Sequence, residues 1–502
     1  MIPDLRQRRP LKRSLLPKHL VTNRMLRQQA LRQAQEKLHG AAEAVPHSPL
    51  ITHNFPSFLS SHLIFCYTTS RMMRVLNSSF IIHHSSFPYE RIIEKVIVVQ
   101  KYGGSSVATT EKICNVAKRI KKAAEKSSVV VVVSAMGDTT DDLITMAKAI
   151  TGMPDDREMD KLLATGEQAS SALLTMALHE LGAPAVSLTG GQAGIITESI
   201  AGNARIQSIN PQRIREELND GKVVVVAGFQ GITSNATWAD ITTLGRGGSD
   251  TTAVALAAAL GADACEIYTD VDGVFTADPR VVLNARKLDR ISYEEMLELA
   301  GLGARVMHSR AVELAEMYDV NILVAHSVRE VPGTMITKED SSMEAKNQVR
   351  GIAHDTDIAK ITISAVPDRP GTSYQVFHAL AEANISVDII VQNVSLAGVT
   401  DLSFTVGLAD LAKAQKALEP VIRNIGAKEM SSTVELAKVS IVGTGMRSHP
   451  GYADKMFGAL AMQGINIDAI ATSEIRITCL IDKADVKKAV QSLHEAFELE
   501  KP

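Results

Sequence analysis

Val96-Ile97-Val98-Val99-Gln100-Lys101-Tyr102-Gly103-Gly104-Ser105-Ser106 is the stretch from which the fold can be read. Val96–Gln100 is a run of β-branched residues without polar alternation, the pattern of a strand buried on both faces. It runs straight into a lysine and a glycine pair. Downstream the same rhythm returns, and strands are predicted at Val129–Ser134, Ala185–Leu188, Val223–Ala227, Glu266–Thr269 and Asn321–Val324, separated by Ala- and Leu-rich helical stretches. Buried strands alternating with helices predict an α/β sandwich of three layers, a mostly parallel sheet covered on both sides. Such sheets bind ligands at the carboxyl ends of their strands. Glycines stand at those ends here: Gly103–Gly104, Gly190–Gly191 and Gly228.

Upstream of this stretch the composition differs. Residues 1–89 carry 12 Lys/Arg against 3 Asp/Glu, while the whole chain of 502 residues has a net charge of −3. Residues 1–95 are read as a disordered or non-native extension, with an organelle transit peptide as the alternative. No run of about 20 apolar residues occurs, so no membrane span is expected, and nucleic acid is not an expected partner. The four cysteines are scattered, without C-x-x-C pairs, so neither a disulfide framework nor a zinc site is indicated, and a reducing, cytoplasmic setting is expected.

Downstream, beyond Asp357, an internal repeat appears at an offset of 80 residues. Pro370–Gly371 matches Pro450–Gly451, Phe377 matches Phe457, Ala379–Leu380 matches Ala459–Leu460, Ile385 matches Ile465, and Asp388 matches Asp468. Each copy reads strand, Pro-Gly turn, helix, strand, so two small βαββαβ units are expected. Domains are placed at 96–333, 349–435 and 436–502, with the polar, aperiodic 334–348 as linker.

Three strings carry ionic groups inside glycine turns. Lys101-Tyr102-Gly103-Gly104 follows the first strand, where glycine lets backbone N–H groups approach phosphate oxygens and lysine supplies a point charge. Thr242-Thr243-Leu244-Gly245-Arg246-Gly247-Gly248-Ser249-Asp250-Thr251-Thr252 leads into a helix predicted over Ala253–Leu260, with Ser249 as its N-cap. A plain turn accounts for the glycines but not for an Arg and an Asp within it. Neither a Walker A loop nor G-x-G-x-x-G fits. The third string, Tyr268-Thr269-Asp270-Val271-Asp272-Gly273-Val274-Phe275-Thr276-Ala277-Asp278-Pro279-Arg280, leaves a strand end as a polar loop.

Together these strings resemble the signatures of the aspartokinases, within the amino-acid kinase superfamily. The resemblance extends to Ala164-Thr165-Gly166-Glu167-Gln168, to Gly303-Ala304-Arg305-Val306-Met307-His308, and to the double repeat, which resembles paired ACT domains (ferredoxin-like units). It implies phosphoryl transfer from ATP, with Mg²⁺ as the nucleotide's counter-ion, to the side-chain carboxylate of L-aspartate. Lys101 is then the leading catalytic cation, oriented by Asp250. Arg246 and Glu167 suit the α-carboxylate and ammonium of aspartate, with Ser134, Thr140 and the Gly247-Gly248-Ser249 turn nearby. ATP is assigned to Lys101, Tyr102, Gly103, Gly104, Thr269, Asp270, Phe275, Arg280 and Arg305. Many relatives carry Tyr where Phe275 stands, so ring stacking is kept there and a hydroxyl hydrogen bond is not.

The ACT resemblance implies an allosteric amino acid, lysine and/or threonine, held by Asp368, Gln392 and Asn393 in the first copy and by Thr472 and Glu474 in the second. It also implies a homo-oligomer through these domains, with Val349–Ala353 adding an edge strand to the second unit and with Met343 placed as an internal start for a shorter regulatory subunit. Two other readings are weighed: a kinase for glutamate or a similar substrate, and an inert amino-acid sensor. The G-R-G-G-S-D turn disfavours the first. The joint presence of Lys101, Asp250, Arg246 and Glu167 disfavours the second.

Overall fold

The computed structural model describes residues 95–235, 238–303, 306–338, 349–393, 398–447 and 450–501. The N-terminal extension, Arg305 and Met343 lie outside the described residues. Twelve strands form the first part: β1 (Ile97–Tyr102), β2 (Ser128–Val133), β3 (Ala185–Leu188), β4 (Ile195–Thr197), β5 (Ile206–Ile209), β6 (Val223–Ala227), β7 (Gln230–Thr233), β8 (Ile241–Thr243), β9 (Ala264–Thr269), β10 (Arg290–Ser292), β11 (Ile322–His326) and β12 (Thr334–Thr337). Between them run α1 (Thr110–Ala124), α2 (Thr139–Ile150), α3 (Asp156–Glu180), α4 (Gln212–Asn219), α5 (Gly248–Leu260), α6 (Tyr293–Gly301) and α7 (Ser309–Tyr318).

Eight strands make the central sheet in the order β10-β12-β11-β9-β1-β2-β6-β3. Every pairing in it is parallel except β11 with β12. β1 lies in the middle, which is why its residues must be apolar on both faces. One face carries Val99, Val130, Val132, Val224 and Val226 against α5, α6 and α7. The other carries Val129, Val131, Val133 and Tyr102 against α1 and α3. Helix α5 is buried almost all round, as its Ala-rich, weakly amphipathic sequence requires. A second, four-stranded sheet in the order β5-β4-β7-β8 leans on the carboxyl edge of the first. Gly190 serves that packing: a Cβ there would stand 2.0 Å from the Gln230 carbonyl oxygen.

The expected linker is corrected by the structure. Its first residues, Thr334–Thr337, are β12, whose Thr334 is fully buried and donates its hydroxyl to the carbonyl of Leu288. A threonine that bonds to the neighbouring backbone satisfies its polar group inside a sheet, so polarity alone did not mark a linker.

The remaining strands, β13 (Gly351–Asp355), β14 (Ile358–Pro367), β15 (Val387–Gln392), β16 (Val399–Gly407), β17 (Glu429–Thr433), β18 (Leu436–Val442), β19 (Ala469–Thr472) and β20 (Arg476–Asp482), form two antiparallel sheets. Their orders are β15-β16-β14-β17 and β13-β18-β20-β19. Helices α8 (Thr372–Glu382) and α9 (Leu411–Ile425) belong to the first, α10 (Tyr452–Met462) and α11 (Val486–Ala496) to the second. The strand that precedes the first unit in sequence, β13, thus pairs with β18 of the second. Where the sheets meet, Ile358, Ile389 and Leu480 are buried together, and two reciprocal ion pairs cross: Lys360 with Asp468 at 2.7 Å and Lys438 with Asp388 at 2.5 Å. The two aspartates are the repeat-related pair. Because Gly190 has no room for a methyl group, Gly190→Ala is expected to destabilise the catalytic part by about 2–3 kcal/mol, visible as a lowered thermal midpoint.

Candidate active site

Lys101 leaves β1 toward α5, and its Nζ stands 2.6 Å from Oδ1 of Asp250, in the first turn of that helix. Both side chains are only about a tenth exposed, at 12% and 10%. The helix can come this close because Gly228 has no side chain: a Cβ there would lie 2.8 Å from the Ser249 hydroxyl. Ser249 itself is not the cap. Gly247, in the left-handed region at φ 72°, ends the turn, and Ser249 lies inside the helix. The chain must reverse sharply before α5, and glycine alone reaches that conformation without strain.

The loops after β1 and β2 pack on each other at the same edge. Gly137 donates its N–H to the Gly104 carbonyl at 3.1 Å, and a Cβ on Gly104 would meet the Ala135 oxygen at 2.8 Å. Gly103 in turn donates to the Tyr268 carbonyl at 3.3 Å, which ties the glycine turn to the end of β9, where Thr269 donates to Asp270. Ser134 follows β2, and Thr140 lies in the first turn of α2.

From below, α3 brings Glu167. Gly166 makes this approach feasible, since a Cβ there would stand 2.8 Å from the Ala135 methyl. Glu167 accepts the Ala135 N–H at 3.1 Å through Oε1, while Oε2 is buried without a partner among the described residues. Burial pushes this carboxyl up to about 7. Arg246 is exposed at the turn above. A cation, a buried acid with one free oxygen, a lysine–aspartate pair and glycine-rich backbone thus share one sheet edge.

Not every expected residue joins them. Tyr102 follows Lys101 on the strand and therefore points to the opposite face, where it is fully buried and stacked on Tyr268 at 5.0 Å. Its ring is part of the core and not a nucleotide contact. Arg280 is exposed and held by Asp278 at 2.8 Å; with Asp270 and Phe275 it lines a cavity of about 610 Å³. In the first regulatory unit Asp368 stands exposed in the turn before α8, and Gln392 accepts from Ser373 at the start of that helix. Asn393 follows Gln392 and accepts from Thr400 through its carbonyl. In the second unit Thr472 and Glu474 border a different environment. The Thr444 N–H and hydroxyl are both donated to Glu295 of α6, and Ser473 and Arg476 both bond Glu298 of the same helix.

The sequence reading missed two supporting residues, Asp160 and Arg310, and quoted a third, His308, without a role. Asp160 is buried and accepts from the Gly202 N–H and from the Thr243 N–H and hydroxyl, which fixes the strand that enters the glycine turn. Its signal was its position, seven residues before Glu167 and so on the same helix face. Arg310 braces that turn through the Leu244 carbonyl at 2.7 Å. His308 stands at the N-cap position of α7 against Gly247, where a Cβ would come within 2.2 Å of it, and burial lowers its pKa.

A parallel α/β domain with this edge, followed by two paired ferredoxin-like units, defines a phosphotransferase of the amino acid kinase type. Residues 96–326 match the amino acid kinase family model, and residues 361–420 and 439–497 match the ACT domain. An aspartate kinase of Pseudomonas putida is 51% identical over 407 residues, 81% of this chain and 98% of that protein. Escherichia coli aspartokinase III in complex with aspartate and ADP (R-state) superposes with a TM-score of 0.69 at 26% identity, over 80% of this chain and 100% of that one. The same enzyme in complex with lysine and aspartate (T-state) gives 0.62 at 26% identity, covering 80% and 99%. The chain belongs to the aspartokinase family.

The raised Glu167 carboxyl has a signed consequence for stability. Its pKa is about 7 in the folded protein and near 4.5 when unfolded, so stability falls as pH rises through that window, the ionised form being the costly one. Glu167→Gln is therefore expected to raise the thermal midpoint of the ligand-free protein at pH 8 and to leave it unchanged near pH 4.5. A midpoint difference that is the same at both pH values contradicts the assigned burial.

Proposed function

We propose that this chain phosphorylates the side-chain carboxylate of L-aspartate with ATP, giving 4-phospho-L-aspartate and ADP. The observation that carries the reading is the Lys101–Asp250 pair at the glycine-rich edge, with Glu167 and Arg246 beside it. Joining two anions requires charge to be neutralised on the phosphoryl group in flight. Lys101 supplies that charge and Asp250 fixes the ammonium, so no covalent enzyme intermediate is needed. Backbone N–H groups at Gly103 and Gly104 take phosphate oxygens. The free Oε2 of Glu167 takes the ammonium of aspartate, Arg246 takes the α-carboxylate, and the Ser134 and Thr140 hydroxyls and the Gly247–Ser249 turn complete the pocket.

The nucleotide lies along Thr269, Asp270, Phe275 and Arg280, with the Phe275 ring against the base. Mg²⁺ is taken as the counter-ion of the nucleotide's own phosphates. The acyl phosphate product suits the first step toward lysine, threonine, methionine and diaminopimelate. Lysine and/or threonine is taken as the allosteric effector, held by Asp368, Gln392 and Asn393; the lysine complex of the Escherichia coli relative supports this choice. Assembly of copies through the ACT units, together with a shorter subunit started at Met343, belongs to the same reading.

A hydroxamate assay for the acyl phosphate, run with ATP-Mg²⁺ and either aspartate or glutamate, tests the substrate. Product is expected with aspartate alone, and its absence removes the reading. Lys101→Ala is expected to lower kcat by at least about 10²–10³-fold, the scale of losing a preorganised charge at the transition state. Asp368→Ala is expected to keep turnover and to weaken inhibition by lysine or threonine. Inhibition equal to that of the unaltered protein removes the effector assignment.

A further inference from the structure

The cavity assigned to the nucleotide has walls of different origin. One is the loop after β9, with Asp270, Phe275 and Arg280; a second is Ile352–Thr356, which includes most of the regulatory edge strand β13; Leu299, Gly303 and Val306 close the rest. The loop folds as a hairpin. Phe275 bridges to Lys287, the Thr276 N–H is donated to the Arg286 carbonyl at 2.8 Å, and the Leu288 N–H to the Val274 carbonyl at 2.8 Å.

The far end of this hairpin does not pack on the catalytic sheet. Ala277 and Val282 are buried in the core of the second regulatory unit, with Ile352, Val439, Val490 and Leu493. Three polar contacts fix it there. The Ile352 N–H of β13 is donated to the Thr276 carbonyl at 2.8 Å, the Gln491 amide of α11 to the Val281 carbonyl at 2.9 Å, and the Thr276 hydroxyl lies 3.0 Å from Nε2 of His494 on α11. Thr276 and His494 are both fully buried. The Thr276 oxygen already accepts the Arg286 N–H, so its own proton is free to go to a neutral His494. A buried hydroxyl with both functions satisfied holds one orientation.

We infer that the second ACT unit completes the nucleotide site, with His494 acting through Thr276 as a positioning residue that holds Phe275, the adjacent residue, at the base. This rests on the assignment of Phe275 and Arg280 to the nucleotide. The consequence is selective. Loosening the hairpin weakens ATP binding and leaves the aspartate pocket, built from α3 and the turn before α5, as it was.

The test is steady-state kinetics on the full chain, with KM for ATP and for aspartate measured separately. Thr276→Val and His494→Leu are each expected to raise KM for ATP by about fivefold to tenfold, the factor one lost hydrogen bond is worth. KM for aspartate is expected to stay unchanged. The double variant should be no worse than either single one, because both break one contact. His494→Gln, which can still accept from Thr276, should restore most of the affinity. Gln491→Ala, at an exposed position, gives a milder version of the same selective rise and guards against a variant that fails to fold. Phe275→Ala separates the two layers of the argument. If it leaves KM for ATP unchanged, the nucleotide assignment falls and the inference with it. If it raises KM for ATP while the Thr276, His494 and Gln491 variants behave as the unaltered protein, or move both KM values alike, the inference alone is overturned.

Discussion

The ion pair between Lys101 and Asp250 sets the terms for the rest of the catalytic half. Two opposite charges nine-tenths buried at 2.6 Å are tolerable only together, because either alone would be an uncompensated charge in a poorly solvated site. The end of β1 and the first turn of α5 are thereby held at one separation. Gly228 meets that demand by having no side chain, and Gly247 meets it by turning the chain through a left-handed conformation. The demand also fixes the register of β1. With Lys101 on the α5 face, Tyr102 must fall on the other, and the stack of Tyr102 on Tyr268 under the Arg119 guanidinium anchors the opposite layer. Site chemistry and two-faced core are consequences of one strand orientation.

Much of this was legible in the sequence. The buried strands read correctly because a continuous apolar run has only one comfortable place in an α/β protein, and the glycine turns that the sequence marked out by their ionic residues do come to the carboxyl ends of those strands, with Lys101 beside Asp250. What escaped was whatever depends on distant partners. Tyr102 belongs to a phosphate-like string, yet its facing follows from a neighbour's salt bridge 149 positions away in sequence. Ser249 has the chemistry of a cap, but Gly247 adopts the capping conformation first. Thr334 looked like linker because its hydroxyl partner, the Leu288 carbonyl, is invisible in the local pattern. Glu167 could be argued only through family resemblance; Gly166 beside it is what lets the helix come near enough for the carboxylate to matter.

The two regulatory units are alike in sequence and unlike in circumstance. The first presents its Asp368 turn to solvent. In the second, Thr444, upstream of the corresponding Pro-Gly turn, is engaged by α6, whose Glu295 is part of that helix's own capping box and also receives both Thr444 donors. One buried carboxylate therefore joins the start of a catalytic helix to a regulatory turn. The sequence reading treated the repeats as equivalent because a repeat records ancestry and fold, not which neighbour later occupies a turn.

The placement of β13 also bears on how such a chain can be divided. A break anywhere between Thr337 and Val349 would leave every strand of the eight-stranded sheet on one piece and every strand of both regulatory sheets on the other. No strand pairing within a sheet would be cut. What unites the pieces is noncovalent, namely the hairpin end around Ala277 and Val282 seated in the regulatory core and the carboxylates of α6. A chain cut at this point would keep every sheet whole, and its two pieces would have those contacts by which to recognise each other.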